Sequence, residues 1–407
     1  MVDPTATANP RAIRRALVNA FVHSWDAYHS FAAAADEIDS RTGRGTNAAA
    51  GGVALTLVEA LDTAVLMRRS GRVALAIDLV CNRTWHTLQP RAVAASTARL
   101  LGGLLAAHDL TNRSCLLHAA VAVGGLLLPR LDAAPCTNVV EYARLSALTG
   151  DPRFRRAWGT CRAAAAAPNT LNGRGHSAPH ASVLPLHLLD GARDPRADDY
   201  NRLVEHVRTR FVRRIAGLDF LVDARSTMTQ AACAFPGTLA LGVLRNASAR
   251  PAADVELARR LLSGCYALHA DNAATGLPPE VVRLAPNGQR VLDPRFRLRA
   301  DTVGSIFYMW RLTRSRVYRD WAWKIFRSIE ACCKGTYGFS SLENVRAVRA
   351  RSRSSEAQPS WWMGAVLKYL FLTFSADQLL PLERYVLTTE AHPLRVGPPA
   401  AGGNATR

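Results

Sequence analysis

Lysine is nearly missing from this chain. Of the 51 basic residues in its 407, only Lys324, Lys334 and Lys368 are lysines, leaving 48 arginines. Phosphate-tracking surfaces that ignore base sequence mix Lys and Arg in clusters. Here the arginines are scattered, so the net charge of +19 does not define a nucleic-acid surface and no specific nucleic-acid partner is expected. Cysteine is also sparse: eight residues, with no CxxC pair, exclude a disulfide-dense scaffold and a zinc ribbon. Long apolar runs are absent. The longest, Cys115 to Pro129, contains His118 and falls short of the roughly 20 residues a membrane helix needs, so no transmembrane segment is expected. Residues 1–20 lack an apolar stretch of secretory length, and Pro10 and several arginines interrupt what there is, so no signal peptide or membrane anchor is read there. Four Asn-x-Ser/Thr sequons, at Asn82, Asn112, Asn246 and Asn404, are about as many as chance supplies and do not by themselves make the chain secretory.

What is present is helix. Apolar positions at helical spacing run through 11–35 (Ile13, Leu17, Phe21, Trp25, Tyr28, Phe31) and recur in 53–68, 92–109, 115–128, 137–148, 200–217, 238–245, 253–268, 302–312, 317–333 and 360–374. Short Gly/Pro/Asp punctuations separate them, as in Gly150-Asp151-Pro152 and Gly276-Leu277-Pro278-Pro279. β-Branched alternation is scarce, and an apolar fraction of 49% can fill a sizeable core. Helices arriving every 25–30 residues with short links suit a closed toroid of paired helices, since each needs neighbours to bury its apolar stripe. No composition break marks a domain boundary. The reading is an N-terminal tail over 1–10, one barrel over 11–393 and a disordered tail over 394–407.

Motifs spread along the chain carry a resemblance. Trp25-Asp26-Ala27-Tyr28 followed by Asp36-Glu37 is similar to a WDGY…DEL opening. LTLVEALDT (Leu55–Thr63), RLLGGLLAAHDL (Arg99–Leu110), ALTGDPRF (Ala147–Phe154), FPGTLALG (Phe235–Gly242), TGLPPE (Thr275–Glu280), LKYLFLTFS (Leu367–Ser375) and TTEAHPL (Thr388–Leu394) follow in order. The set resembles the class I α-mannosidases, glycoside hydrolase family 47. The resemblance implies an all-α fold: a single (α/α)7 barrel with small β-hairpin elements, plugged from one end by a hairpin. It implies calcium-dependent, inverting removal of α-1,2-linked mannose from high-mannose N-glycans, with N-glycans or glycoproteins as partners and an ER or Golgi lumen as the compartment. It also implies a Cys233–Cys265 disulfide, which an oxidising lumen would allow and which sits uneasily with the missing signal sequence.

The site residues depart from that pattern. Inverting hydrolysis needs an acid and a base on opposite sides of the scissile bond. The FExxIR motif with its catalytic Glu is here Ala94-Ala95-Ser96-Thr97-Ala98-Arg99, so Ala95 stands where the acid belongs. The two acids of GARGDSYYEY become His176 and His180, those of RPEtvES become a shortened Asp301 and Gly304, and that of SFFLAETLKY becomes Ala365. The family histidine of HLVCF is Gln230, and Trp361 replaces a sugar-facing Phe. Glu141 and Glu390 are kept, as are the pocket arginines Arg99, Arg174 and Arg299. A pocket stripped of acids would turn basic and could take an anionic sugar or an acidic peptide; equally, the arginines could only bridge helices. His176 and His180 have a spacing that can chelate zinc on a helix, but Pro179 opposes helix there and no third ligand is evident. Thr389 is the family's calcium contact, yet few acids remain to orient a hydration shell, so no cofactor is expected unless that Ca²⁺ site is retained. Between ALTGDPRF and Gly173-Arg174-Gly175-His176 the chain is also shorter than the family pattern. Two functions follow: a degenerate barrel acting as a glycan- or protein-binding module, or a working α-1,2-mannosidase with a rearranged pocket.

Overall fold

The computed structural model describes residues 9–88, 97–128, 139–157, 197–272, 274–347 and 357–397. Helix α1 (Pro10–Ala32) starts as its sequence dictates: the Asn9 side chain accepts from Arg11 N at 2.9 Å, and Pro10 takes the first helical position. Its buried face is the stripe Ile13, Leu17, Phe21, Trp25 and Tyr28. The next helix, α2 (Leu55–Leu66), is of another kind. Eleven of its twelve residues are buried, which places it inside the molecule. Its start is held by Asp36, whose two carboxylate oxygens accept backbone N–H bonds from Ala50, Gly52, Val53 and Leu55 at 2.7–3.4 Å.

The same alternation repeats. Inner helices α4 (Thr97–Thr111), α6 (Val139–Thr149), α8 (Phe235–Leu244), α10 (Asp301–Thr313) and α12 (Leu367–Thr373) are interleaved with α3 (Ser70–Cys81), α5 (Ser114–Leu127), α9 (Pro251–Ala270) and α11 (Arg316–Cys333), with α7 (Ala197–Arg210) before α8. The inner helix α2 packs on α4 and α4 on α6; α8 packs on α10 and α10 on α12. A π-helical turn, Trp362–Val366, precedes α12 and packs back on α2, which brings the last inner helix against the first. α3, α5, α9 and α11 lie outside, each on an inner neighbour. No described helix is long and apolar enough to cross a membrane.

The strands are short hairpins. Strands β1 (Glu37–Ile38) and β2 (Gly45–Thr46) pair after α1; β3 (Val212–Ile215) and β4 (Leu218–Leu221) pair after α7; β5 (Thr227–Thr229), β6 (Val281–Ala285) and β7 (Gly288–Asp293) form one sheet. β8 (Lys334–Gly335) pairs with β9 (Gly338–Phe339), and β10 (Tyr385–Leu387) with β11 (Pro393–Arg395). Two boundaries differ from the sequence reading. The helix expected over 200–217 ends at Arg210, because Ala216 and Gly217, at φ 48° and 82°, form a tight turn that folds Val212–Leu221 into a hairpin. The tail expected from 394 is still structured at its start: Leu394 is fully buried in β11, and Val396 N donates to Arg384 O.

The β10–β11 hairpin is the piece that makes a site. Its tip, Thr388–His392, reaches inner helix α4, where Gly102 and Gly103 make room. A Cβ at Gly102 would lie 2.9 Å from His392 Cδ2, and one at Gly103 would lie 2.8 Å from Val58 Cγ1. The paired glycines of RLLGGLL therefore let the hairpin tip and α2 approach the α4 backbone.

Candidate active site

Above the hairpin tip lies a cavity of about 820 Å³ including its open mouth. Its walls come from α8 (Thr238, Leu241), from α10 and the segment before it (Arg299, Asp301, Gly304, Tyr308), from the π-turn and its flanks (Trp361, Ala365, Tyr369), and from the hairpin tip (Thr388, Thr389, Glu390). Arg299, Asp301, Gly304, Trp361, Ala365, Thr389 and Glu390 are thus brought together from stretches nearly a hundred residues apart. Ala95, Arg174, His176 and His180 lie outside the described residues.

Gly304 and Ala365 present no polar group to this cavity. Beside Gly304, a Cβ would come within 3.1 Å of Tyr369 Cε2, so any side chain there would require that ring to give way by a few tenths of an ångström. Asp301 is mostly buried. Its carboxyl is raised to about 6, chiefly by burial, with Arg299 pulling the other way. Arg299 itself is claimed elsewhere: its Nε donates to Glu280 Oε1 at 2.7 Å, while Asp301 Oδ2 stays 4.0 Å from its Nη1. Arg99 donates from Nη1 to Ser360 Oγ at 3.2 Å, lies 3.8 Å from Glu59 Oε1, and stands 5.6 Å from the Trp361 ring centre. The Trp361 indole N–H donates to Arg297 O at 3.1 Å, which fixes the ring plane. These pocket arginines are paired with Glu59 and Glu280, acids that the sequence reading did not single out.

Two further acids carry raised carboxyls: Glu141 is buried, and Glu390 is half-buried in the cavity wall. Glu390 is raised to about 8 by burial, with Arg99 opposing and Glu59 and Asp301 adding repulsion. Glu141, in the first turn of α6, is raised to about 8 by burial, with Glu390 adding repulsion. Neither Glu141 oxygen has a hydrogen-bond partner among the described residues. Gln230 is buried too, its amide donating to Pro279 O at 3.1 Å.

Beneath the cavity an ionic frame pins the hairpin tip. Lys368 Nζ donates to Asp62 Oδ2 at 2.8 Å and to Ala391 O at 2.7 Å, and His392 Nδ1 lies 2.8 Å from the same Asp62 oxygen. All three side chains are fully buried. Burial pushes the Asp62 carboxyl up, but Lys368 and His392 hold it below its ordinary range, so it is ionised. The sequence carried one signal for this frame: Lys368, one of three lysines, interrupts the apolar run LKYLFLTFS.

Around Thr389 the described residues offer few oxygen donors. Calcium takes six to eight oxygen ligands, whereas Glu390 is the single carboxylate on the tip, Asp301 lies beside Arg299, and Gly304 and Ala365 offer no side-chain oxygen. Among the described residues no group of three or more His, Cys, Asp or Glu is arranged to hold a metal. Cys233 and Cys265 are joined, and a second disulfide, Cys81–Cys115, was not legible in the sequence.

Inner helices backed by outer ones, with a hairpin tip below a cavity that holds Arg299, Asp301 and Glu390, define a helical barrel with a polar pocket. Residues 20–135 and 187–396 match the model of glycosyl hydrolase family 47, and the chain belongs to that family. It is 30% identical to the human endoplasmic reticulum mannosyl-oligosaccharide 1,2-alpha-mannosidase over 95% of this chain, and spans 64% of that protein's length. It is 27% identical to the corresponding protein of Schizosaccharomyces pombe, over 93% of this chain and 89% of that one. Among solved structures, an alpha-1,2-mannosidase from Trichoderma reesei superposes with a TM-score of 0.83 at 20% identity, covering 95% of this chain and 99% of that one. The fold is accordingly the (α/α)7 barrel.

Proposed function

We propose that this chain is a catalytically degenerate class I α-mannosidase, whose barrel holds an N-glycan, or the glycoprotein bearing it, in the lumen of the secretory pathway. The carrying observation is the cavity wall. Gly304 and Ala365 face it where the family pattern has acids, and Asp301 sits beside an arginine already bound to Glu280. With Ala95, His176 and His180 in place of three further acids, too few carboxylates remain to hold a water and protonate a leaving group. Each such group contributes about 100- to 10,000-fold, so their joint loss removes most of the rate. Two disulfides support an oxidising compartment. The Trp361 face, oriented through its N–H and backed by Arg99, supports retained sugar contact.

A second reading rests on one feature. Asp301 and Glu390 share the cavity with carboxyls raised to about 6 and about 8, so near neutral pH one is ionised and the other protonated. Residual acid–base hydrolysis would use such a pair. Mannose release from a high-mannose glycan with added Ca²⁺ separates the two. The expected result is glycan binding in calorimetry with no release above buffer. Calcium-dependent release that Asp301→Asn abolishes would establish the second reading, and absence of both binding and release would remove the first. Calcium titration should show no micromolar site; one that Thr389→Ala eliminates would overturn the reading of the donor set.

A further inference from the structure

Among the described residues, the outer helix α3 leaves two apolar side chains on one face partly open to solvent. Leu75 is 40% exposed and Leu79 is 38% exposed, on a helix whose other face buries Ala76, Ile77 and Val80. Four and then three residues separate Leu75, Leu79 and Asn82, the spacing that keeps side chains on one face, within an arc of about 60°. Asn82 closes the helix in the right-handed conformation (φ −84°, ψ −5°), so that face runs straight into it. Asn82 is exposed and opens the sequon Asn82-Arg83-Thr84.

Backbone geometry separates Asn82 from the other described sequons. Asn112 and Asn246 both have φ 55°, a left-handed conformation that itself selects asparagine. Conformation gives Asn82 no such reason to be asparagine. Its neighbour Cys81 is bonded to Cys115, so this end of α3 bears a bond of oxidising compartments.

We propose that Asn82 is an N-glycosylation site and that the first sugars of its glycan lie over Leu79 and Leu75. The proposal rests on the lumenal placement argued under Proposed function. In the transfer, Asn82 Nδ2 forms a bond to C1 of the first sugar of a lipid-diphosphate-linked oligosaccharide. The C1–oxygen bond breaks, the lipid diphosphate leaves, and the amide nitrogen gives up one proton. Along the helix axis Leu79 lies about 4.5 Å and Leu75 about 10 Å back from Asn82, within the span of the first sugars. The apolar faces of those rings would shield the leucines, and their hydroxyls would give the surface back to water.

The test is peptide mass spectrometry of the natively produced full chain, digested without reduction. A cross-linked Cys81–Cys115 peptide, with Asn82 carrying a glycan that amidase treatment releases to leave aspartate, is the expected result. The same cross-link with bare Asn82 overturns the proposal and leaves the lumenal placement standing. Reduced cysteines with bare Asn82 overturn both. The covering role is read on folded, glycosylated protein, where enzymatic removal of the glycan should raise apolar-dye binding and self-association. That rise should vanish in the Leu75→Ser, Leu79→Ser double variant, and no rise in the unmutated chain overturns the covering role.

Discussion

Asp62 meets Lys368 and His392 where no solvent reaches, so removing one partner strands the others. Breaking such a buried pair from one side costs about 3–5 kcal/mol. Asp62→Asn should lose about that much in urea unfolding, whereas Asp62→Leu with Lys368→Met should recover most of it. A similar loss in both would show that shape, not charge, is what the frame supplies. Glu141 and Glu390 make a second prediction, in pH. Both are raised from an ordinary 4.5 to about 8, so above 4.5 the unfolded chain gives up protons that the fold retains. Stability falls with pH wherever the folded state binds more protons, so it should decline up to about 8 and then level. His269, buried and lowered from 6.5 to about 3, acts the opposite way below 6.5, so the decline is cleanest between 6.5 and about 8. Thermal melts in chelator should show it, and Glu141→Gln should flatten the slope and raise Tm at the alkaline end. Departures from the family motifs, such as Gly304 and Ala365, were legible because motif positions are read one letter at a time. The partners of Arg99 and Arg299, Glu59 and Glu280, were not, since they come from other segments of the chain.

Among the helices, glycine serves opposite purposes. On α4, Gly103→Ala would press a methyl to 2.8 Å from Val58 Cγ1 and 3.0 Å from Val58 O. Overpacking of that kind costs about 1–3 kcal/mol, against about 1 kcal/mol gained in helix propensity. A net loss of about 1 kcal/mol is expected. On α5, nothing lies within 4 Å of a Cβ placed at Gly125, so Gly125→Ala should gain about 1 kcal/mol. Denaturant midpoints moving in opposite directions would bear this out; equal shifts would not. Helical periodicity in the sequence found both elements, because apolar spacing reports burial. It could not tell inner from outer ring reliably, nor see that Val212–Leu221 turns back as a hairpin. A run of arginines with scattered apolar residues reads equally well at either period, and the turn at Ala216-Gly217 decides.

At the scale of the whole molecule, two disulfides among the described residues, Cys81–Cys115 and Cys233–Cys265, each tie segments more than thirty residues apart. Closing such loops is worth about 3–4 kcal/mol in the chain-entropy model. Cys233→Ser with Cys265→Ser should therefore lower unfolding free energy by about that amount; a change under about 1 kcal/mol would mean the unfolded chain is not constrained there. Barrel closure was legible from motif order along the chain, whereas the Cys81–Cys115 pairing depends on α3 and α5 meeting side by side, which spacing does not encode. The hairpin plug carries a final consequence, one of timing. Asp62 waits for Lys368, 306 residues later, and for His392, 330 residues later. At about 5–20 residues per second, a ribosome needs roughly 20–70 s to deliver the last partner. For that interval the first inner helix exists as an open, charge-bearing apolar surface in a half-made ring. Asp62 therefore lacks both of its cationic partners while everything between it and Lys368 is being made.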